Sequence, residues 1–172
     1  MIVDGKHYRT IEASLDQSSV IIIDQTRLPF DFHLIRIESL HEMEIAITTM
    51  QVRGAPLIGV SAAFGIALAC NDNVSDNAIE RAKLSLLATR PTAINLAWAV
   101  TRLCHALLAT PEHQRKDKAW DLAQSMADED VSINRRIGLA GLTLLEPIDK
   151  PIINVLTPVS YTHLTLPTTP YV

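Results

Sequence analysis

The chain has 172 residues, of which 48% are hydrophobic and 20% are charged. These are globular values, and the length allows one domain, or one domain with part of another. The formal net charge is −4 and only 5% of the residues are aromatic, so the chain lacks the basic surface and stacking rings typical of nucleic-acid binding. The composition therefore disfavours nucleic acid and anionic lipid as partners.

The two cysteines, Cys70 and Cys104, lie in apolar helical stretches and form no Cys-x-x-Cys motif. This placement predicts free, buried thiols rather than a disulfide or a zinc site. The N-terminus has no apolar signal core, and no apolar run approaches the ~18 residues of a membrane helix. We therefore expect a cytoplasmic protein that has no metal and no membrane partner.

Short β-prone runs separated by polar turns occupy the N-terminal part of the chain. The runs at 8–11, 20–24 and 32–37 predict three strands of a small antiparallel sheet. We assign residues 1–38 to this sheet.

Helical periodicity then extends over residues 39–150, which we predict to form a helical bundle. Ser39 and Glu42 have the spacing of a capping box. The next helix, 57–70, is apolar or small on all sides and must therefore be buried. Further helices are expected at about 75–88, from the Arg90-Pro91-Thr92 segment to residue 108, and at about 115–145. The fourth helix carries Ile94, Ala97, Trp98, Thr101 and Leu108 on one face, and the last helix is predicted to point Trp120, Ala123, Ala127, Ile137 and Leu144 inward.

The sequence changes character after Lys150, its last charged residue. Residues 151–157 are a β-branched run after a proline break, and we predict that they open a truncated Rossmann-like domain. Residues 158–172 lack a regular period and contain three prolines, so we expect a non-native tail. The predicted fold is α+β and mainly α, and the chain is expected to be an N-terminal fragment.

Two arginines stand at predicted helix starts. Arg53 precedes Gly54-Ala55-Pro56, and Arg90 precedes Pro91-Thr92. A flexible glycine, free helical N–H groups and a guanidinium together suit a phosphate. The alternative is that both arginines only cap the preceding helix C-terminus, where a cation is also favourable.

Glu129, Asp130 and Asn134 lie within about one turn of the last predicted helix. A carboxylate and an amide at this spacing could bind a ligand, although such pairs more often close a structural hydrogen-bond network. The sequence has no His-Glu-x-x-His, no dinucleotide fingerprint and no Walker loop.

Four segments of the sequence stand out together. They are Asp24-Gln25-Thr26-Arg27-Leu28-Pro29, Val52-Arg53-Gly54-Ala55-Pro56-Leu57-Ile58-Gly59, Thr89-Arg90-Pro91-Thr92-Ala93-Ile94-Asn95-Leu96, and Glu129-Asp130 with Asn134 and Ile137-Gly138. In this order they resemble the methylthioribose-1-phosphate isomerases of methionine salvage. The wider family includes ribose-1,5-bisphosphate isomerases and regulatory subunits of the eukaryotic initiation-factor exchange complex. The first and third motifs favour the methylthioribose branch.

The resemblance implies an N-terminal sheet-and-helix domain followed by a Rossmann-like domain, in a homodimer when the protein has its full length. It implies an aldose–ketose isomerase without metal or organic cofactor, which converts 5-methylthioribose 1-phosphate to 5-methylthioribulose 1-phosphate. The substrate-binding residues carried over are Arg53, Gly54, Ala55 and Arg90.

The family's catalytic cysteine and aspartate have no counterparts in this chain, so we assign no catalytic residue and expect the fragment to be inactive. Three alternatives stay open. The chain could belong to a non-catalytic regulatory or ligand-sensing subunit, to a ribose-1,5-bisphosphate isomerase, or to a stand-alone helical interaction module.

Overall fold

The computed structural model describes residues 2–150 and 152–154. The chain divides into two units, Met1–Ile133 and Asn134–Val172. Over the described residues, five short strands precede five helices, and the fifth helix begins in the first unit and ends in the second. This order confirms the predicted fold class, a small antiparallel sheet followed by a mainly helical body.

A two-stranded hairpin opens the chain. Strand β1, Ile2–Val3, pairs antiparallel with β2, Lys6–His7. Asp4 and Gly5 form the turn between them with φ angles of 49° and 75°. Asp-Gly is a strong signal for a two-residue hairpin turn because both positions need positive φ. This hairpin was not predicted, although its turn signal is present in the sequence.

The predicted three-stranded sheet is present, with β4 at its centre. Strand β3 is Ile11–Ala13, β4 is Val20–Ile23 and β5 is Leu34–Ile37, all antiparallel to their neighbours. The first strand was predicted at 8–11 and the third from 32, and both predictions began too early. Tyr8 and Phe32 instead pack ring against ring, with centroids 4.8 Å apart, because aromatic residues that favour strands can also bury their area against each other.

The five predicted helices are all present. They are α1 (Leu40–Thr48), α2 (Ala55–Asp72), α3 (Asp76–Thr89), α4 (Ile94–Leu108) and α5 (Glu112–Leu145). The capping box at the start of α1 is confirmed: the Ser39 hydroxyl accepts from the Glu42 N–H, and the Glu42 carboxylate accepts from the Ser39 N–H.

Helix α2 is the central element of the core. It is long and apolar enough to cross a membrane by length and composition, yet 67% of it is buried inside the fold. It contacts α1, α3 and α4. Gly65 allows this close packing, since an added β-carbon would lie 3.2 Å from side-chain atoms of Met43 and Leu86. The prediction of a helix buried on all sides is confirmed.

Two apolar faces are more exposed than the sequence suggested. The residues predicted to share a face of α4 do so, but that face includes Ile94 and Trp98, which are 82% and 54% exposed. In α5, Ile137 and Leu144 were predicted to point inward and are 63% and 75% exposed. Helical periodicity identifies residues on one face without showing which face has a packing partner.

The predicted strand at 151–157 lies mostly outside the described residues, and residues 152–154 have no strand. The predicted tail at 158–172 lies outside them entirely. The division of the chain at these positions stays a prediction.

Candidate functional site

A cleft of about 460 Å³ lies where the N-terminal turns of α2 and α4 meet the middle of α5. Three of the four motif segments contribute to its wall. Its lining residues are Pro56, Gly59 and Val60 from α2, Ile94, Asn95, Trp98 and Ala99 from α4, and Met126, Glu129, Asp130 and Ile133 from α5. All of them lie in the first unit.

The close approach of α2 and α4 forms the base of this cleft. A β-carbon at Gly59 would lie 2.8 Å from the backbone carbonyl oxygen of Asn95 and 3.4 Å from the Ala99 β-carbon. Real β-carbons do not approach a backbone oxygen so closely, so glycine lets the two helices meet. The cleft geometry therefore depends on the absence of a side chain at this position.

Backbone hydrogen bonds fix the segment that carries Arg53. The Gln51 N–H donates to the Ala46 carbonyl at 2.9 Å, and the Gln51 carbonyl accepts from the Gln25 N–H at 3.0 Å. Val52 is fully buried. The first motif therefore supports the second, because Gln25 holds the chain just ahead of Arg53.

Gly54 turns the chain into α2. Its φ of 98° lies in the region that favours glycine, and it serves as the N-cap without any side-chain hydrogen bond to the first turn. Pro56 occupies an early helical position, where its missing N–H costs nothing. The remaining first-turn N–H groups thus have no side-chain cap.

Arg90 begins a tight turn that leads into α4. Its carbonyl accepts from the Ala93 N–H at 3.0 Å, and Pro91 is at the turn position that proline favours. The N-cap of α4, Ala93, supplies no side-chain hydrogen bond. The N-termini of α1 and α3 are different, since Ser39 and Ser75 cap them through their hydroxyl groups.

The side chains of Arg53 and Arg90 form no ion pair or side-chain hydrogen bond within the described residues. Arg90 is the C-cap residue of α3, as the capping alternative requires, but neither arginine side chain forms a hydrogen bond with a helix carbonyl in this part of the chain. Gly54 and Ala55 are exposed beside Arg53. None of these four predicted binding residues lines the cleft; they directly precede the parts of α2 and α4 that do.

At the wall of the cleft that contains Trp98 and Glu129, an ion pair connects α4 with α5. Nη1 of Arg102 lies 3.0 Å from the Glu129 carboxylate, and its guanidinium carbon lies 5.2 Å from the centroid of the Trp98 ring. This contact agrees with the structural-network interpretation of Glu129. Asp130 also lines the cleft, and Asn134 does not.

A second cleft of about 350 Å³ lies on the other side of Val60 and Asp130, which line both. Residues 7–11 form one of its walls. Arg9 ties this segment to α5 by an ion pair with Asp128 at 2.7 Å. This segment was not predicted to lie near the candidate site, because no local sequence pattern indicates a contact between residues as far apart as Arg9 and Asp128.

The two thiols are buried as predicted. Burial raises the pKa of Cys70 to about 11 and that of Cys104 to about 12. Both therefore stay protonated at neutral pH and are poor nucleophiles. Over residues 2–150 and 152–154, no three His, Cys, Asp or Glu side chains form a group that could hold a metal ion.

Within residues 2–150 and 152–154, the site combines two helix N-termini without side-chain caps, two arginine side chains without an ion pair or hydrogen bond, and an adjoining cleft. Uncapped helix N-termini and arginine side chains are features typical of protein sites for small anions. The Initiation factor 2 subunit family (IF-2B) matches residues 51–162, more than half of the chain. The chain belongs to this family.

Several relatives to which the chain is similar are named methylthioribose-1-phosphate isomerase. The protein from Methylorubrum extorquens is 50% identical over 161 residues, which cover 91% of this chain and 44% of that protein. The protein from Escherichia coli is 47% identical over 162 residues, with coverage of 91% and 44%. The chain thus spans about two fifths of the length of these curated relatives.

Solved structures show the same fold. A 5-methylthioribose 1-phosphate isomerase from Pyrococcus horikoshii aligns with a TM-score of 0.72 and 36% identity, covering 79% of this chain and 40% of that chain. The delta subunit of translation initiation factor eIF-2B from A. fulgidus aligns with a TM-score of 0.67 and 32% identity, covering 73% and 38%. The resemblance stated from the four motifs is confirmed.

Proposed function

We propose that this chain is the N-terminal part of an aldose–ketose isomerase that converts 5-methylthioribose 1-phosphate to 5-methylthioribulose 1-phosphate in the cytoplasm, as a homodimer at full length. The 50% identity with the isomerase of Methylorubrum extorquens carries this proposal. The uncapped helix N-termini beside Arg53 and Arg90 support it, because a sugar 1-phosphate is the kind of anion they would bind.

The contribution of this chain is to hold the phosphate. Arg53 and Arg90 donate charge-assisted hydrogen bonds to the phosphate oxygens, and the backbone at Gly54 and Ala55 approaches them closely because glycine permits that backbone path. The phosphate is attached to the anomeric oxygen, so the sugar ring cannot simply open to a free aldehyde. The enzyme must therefore bind the phosphate tightly while hydrogen moves between C1 and C2 of the sugar.

We further propose that the 172-residue chain does not catalyse the isomerisation by itself. Its two cysteines are buried within helices and protonated, so neither is available as a catalytic thiol. Incubating the purified chain with 5-methylthioribose 1-phosphate should give no ketose product. Turnover by the purified chain would contradict this proposal.

A hybrid protein tests whether this chain can serve as the N-terminal part of an active isomerase. Residues 1–150 of this chain replace the matching segment of the Methylorubrum extorquens isomerase, and the hybrid is assayed for 5-methylthioribulose 1-phosphate. We expect turnover, and Arg53→Ala in the hybrid should raise KM by about one to two decades. A folded hybrid that binds the substrate without turning it over would contradict the isomerase proposal.

The likeness to the eIF-2B delta subunit favours a second candidate, a regulatory or ligand-sensing subunit. Such a subunit would use the same phosphate site for binding alone. Binding of the sugar phosphate by the chain, combined with a hybrid that binds but never reacts, would favour this candidate.

A further inference from the structure

Two turns of nearly the same composition lie at the two ends of strand β4. Asp16-Gln17-Ser18 precedes the strand and Asp24-Gln25-Thr26 follows it. In each turn the aspartate carboxylate accepts hydrogen bonds from the backbone N–H and the hydroxyl group of the residue two positions later. The distances are 3.2 and 2.9 Å in the first turn and 3.0 and 2.6 Å in the second. Side-chain bonds of this kind fix the local path of the backbone.

The two turns differ in their burial, and we call the second the buried turn and the first the exposed turn. Asp24 is 5% exposed, and it is the one buried carboxylate among the residues that the structure describes, whereas Asp16 is exposed. A buried carboxylate destabilises a fold unless donors surround it. Oδ1 of Asp24 accepts the two hydrogen bonds of the turn, and Oδ2 lies 3.6 Å from Nε of Arg27. Both oxygens of the Asp24 carboxylate are therefore used inside the buried turn.

The buried turn is bonded to the segment that leads to Arg53. The Gln25 N–H donates to the Gln51 carbonyl at 3.0 Å. The N–H groups of Gln51 and Val52 both donate to the Ala46 carbonyl of α1, at 2.9 and 3.4 Å, and Val52 is fully buried. Arg53 follows directly, and its side chain is exposed. The backbone path through residues 51 and 52, held from both sides, therefore sets the position of Arg53.

We infer that Asp24 is a positioning residue for the proposed phosphate site. Its carboxylate fixes the buried turn, the turn holds the Gln25 N–H against the Gln51 carbonyl, and that bond places Arg53 for the phosphate. This inference rests on the proposed function, because it assumes that Arg53 binds the phosphate of the sugar. A hydrogen bond weakens steeply when its donor is displaced or tilted, so loosening the buried turn weakens phosphate binding although Asp24 itself does not touch the ligand.

The test measures the affinity of the purified 172-residue chain for 5-methylthioribose 1-phosphate by isothermal titration calorimetry. Asp24→Ala removes the acceptor of the buried turn and should raise Kd by about tenfold, the lower end of the effect of losing one charge-assisted hydrogen bond. Asp24→Asn keeps an oxygen that can accept both hydrogen bonds, so it should retain the affinity of the unmodified chain. Circular dichroism at the titration temperature checks that each variant is folded.

The exposed turn supplies the matched control. Asp16→Ala removes the same two hydrogen bonds at the other end of β4. There the Gln17 carbonyl accepts from the Asn71 side chain, near the C-terminal end of α2, whereas Gly54 is at the start of that helix. Asp16→Ala should therefore leave Kd unchanged, which separates the effect of the buried turn from a general loosening of the sheet.

A double variant tests whether Asp24 acts through Arg53. If it does, the phosphate contact is already lost in Arg53→Ala, and adding Asp24→Ala should change Kd no further. A purely structural role of Asp24 would instead weaken binding by the same factor whether or not Arg53 is present. The Kd values of the two single variants and the double variant therefore distinguish positioning from a loss of stability.

Thr26→Val reaches the buried turn with less risk to folding, because Thr26 is exposed and the substitution removes only its hydroxyl bond to Asp24. It should raise Kd at least about twofold, the lower end of the effect of one hydrogen bond. Its control is Ser18→Ala, which removes the corresponding hydroxyl in the exposed turn and should leave Kd unchanged. If Asp24→Ala does not fold, this pair of variants decides the question.

Several outcomes would overturn the inference. If Asp24→Ala, or Thr26→Val in its place, binds the sugar as tightly as the controls do, the buried turn has no role in binding and the phosphate site of the proposed function stands. If Asp24→Asn binds as weakly as Asp24→Ala, the hydrogen bonds of the turn are not the cause. Additive losses in the double variant would show that Asp24 does not act through Arg53. No binding by the unmodified chain would overturn both this inference and the proposed phosphate site.

Discussion

Gly59 and Asn95 meet where α2 crosses α4, so closely that a β-carbon on the glycine would lie 2.8 Å from the carbonyl oxygen of the asparagine. This contact joins the second and third motifs, which are far apart in the sequence. It also brings two helix N-termini without side-chain caps to one side of the fold. The proposed phosphate site and the cleft both depend on this crossing.

We expect Gly59→Ala to destabilise the fold, because the atom it would strike belongs to the backbone and cannot rotate away. Overpacking of this kind costs about 1–3 kcal/mol, and each kcal/mol lowers Tm by about 2–4 °C in a chain of this size. Thermal unfolding followed by circular dichroism measures the effect.

The control is Gly138→Ala, where an added β-carbon has no atom within 4 Å. Because alanine favours a helix over glycine by about 1 kcal/mol, this variant should be neutral or stabilising. Equal Tm values for the two variants would contradict the close crossing of α2 and α4.

Arg115 is a buried cation that ties three segments together. It donates to the Val74 carbonyl at 2.8 Å and to the Thr110 carbonyl at 2.9 Å, and it pairs with Asp76 at 2.6 Å. Arg115→Met should lower the free energy of unfolding by about 3 kcal/mol, because two carbonyls lose their donor and a carboxylate loses its partner. Urea denaturation measures the loss.

Arg81→Met provides the comparison for Arg115, since Arg81 is exposed on α3. Surface substitutions of this kind usually change stability by less than about 0.5 kcal/mol. If both variants unfold at the same urea concentration, the role assigned to Arg115 is wrong.

The buried thiols make stability depend on pH in the alkaline range. The pKa values of Cys70 and Cys104 are raised from 9.0 to about 11 and about 12. The unfolded chain therefore releases these protons first as pH rises, so their contribution to stability is complete below pH 9.0 and declines between there and about pH 12. Urea midpoints measured from pH 8 upward should fall accordingly.

The same burial predicts slow alkylation. Iodoacetamide at pH 8 should leave both thiols unmodified in the folded chain and modify both in concentrated urea. Rapid modification of the folded chain would show that at least one thiol is accessible.

Much of the fold was predictable because its local signals agree with its packing. The Ser39–Glu42 capping box, the all-apolar α2 and the β4 run all appear where the sequence places them. The strand predicted at 8–11 was displaced, since Tyr8 packs against Phe32 instead of entering the sheet. Local propensity does not specify which distant residue will cover an aromatic ring.

Part of the candidate site was predictable from local sequence signals. The Gly54-Ala55-Pro56 and Pro91-Thr92 segments predict helices shortly after Arg53 and Arg90, and α2 and α4 do follow them. The cleft could not be predicted, because it depends on the crossing at Gly59 and on the contact between Arg102 and Glu129 across two helices. Helical periodicity also does not show that the face of α4 with Ile94 and Trp98 is exposed to solvent.

The central claim is that Arg53 and Arg90 bind the phosphate of a sugar 1-phosphate. Isothermal titration of the purified chain with 5-methylthioribose 1-phosphate tests it directly, with Arg53→Ala, Arg90→Ala and the exposed control Arg81→Ala. A charge-assisted hydrogen bond contributes about 1.5–3 kcal/mol, so each of the first two variants should raise Kd by about tenfold to a hundredfold. If Arg53→Ala and Arg90→Ala bind the sugar phosphate as tightly as Arg81→Ala does, these two arginines do not bind the phosphate.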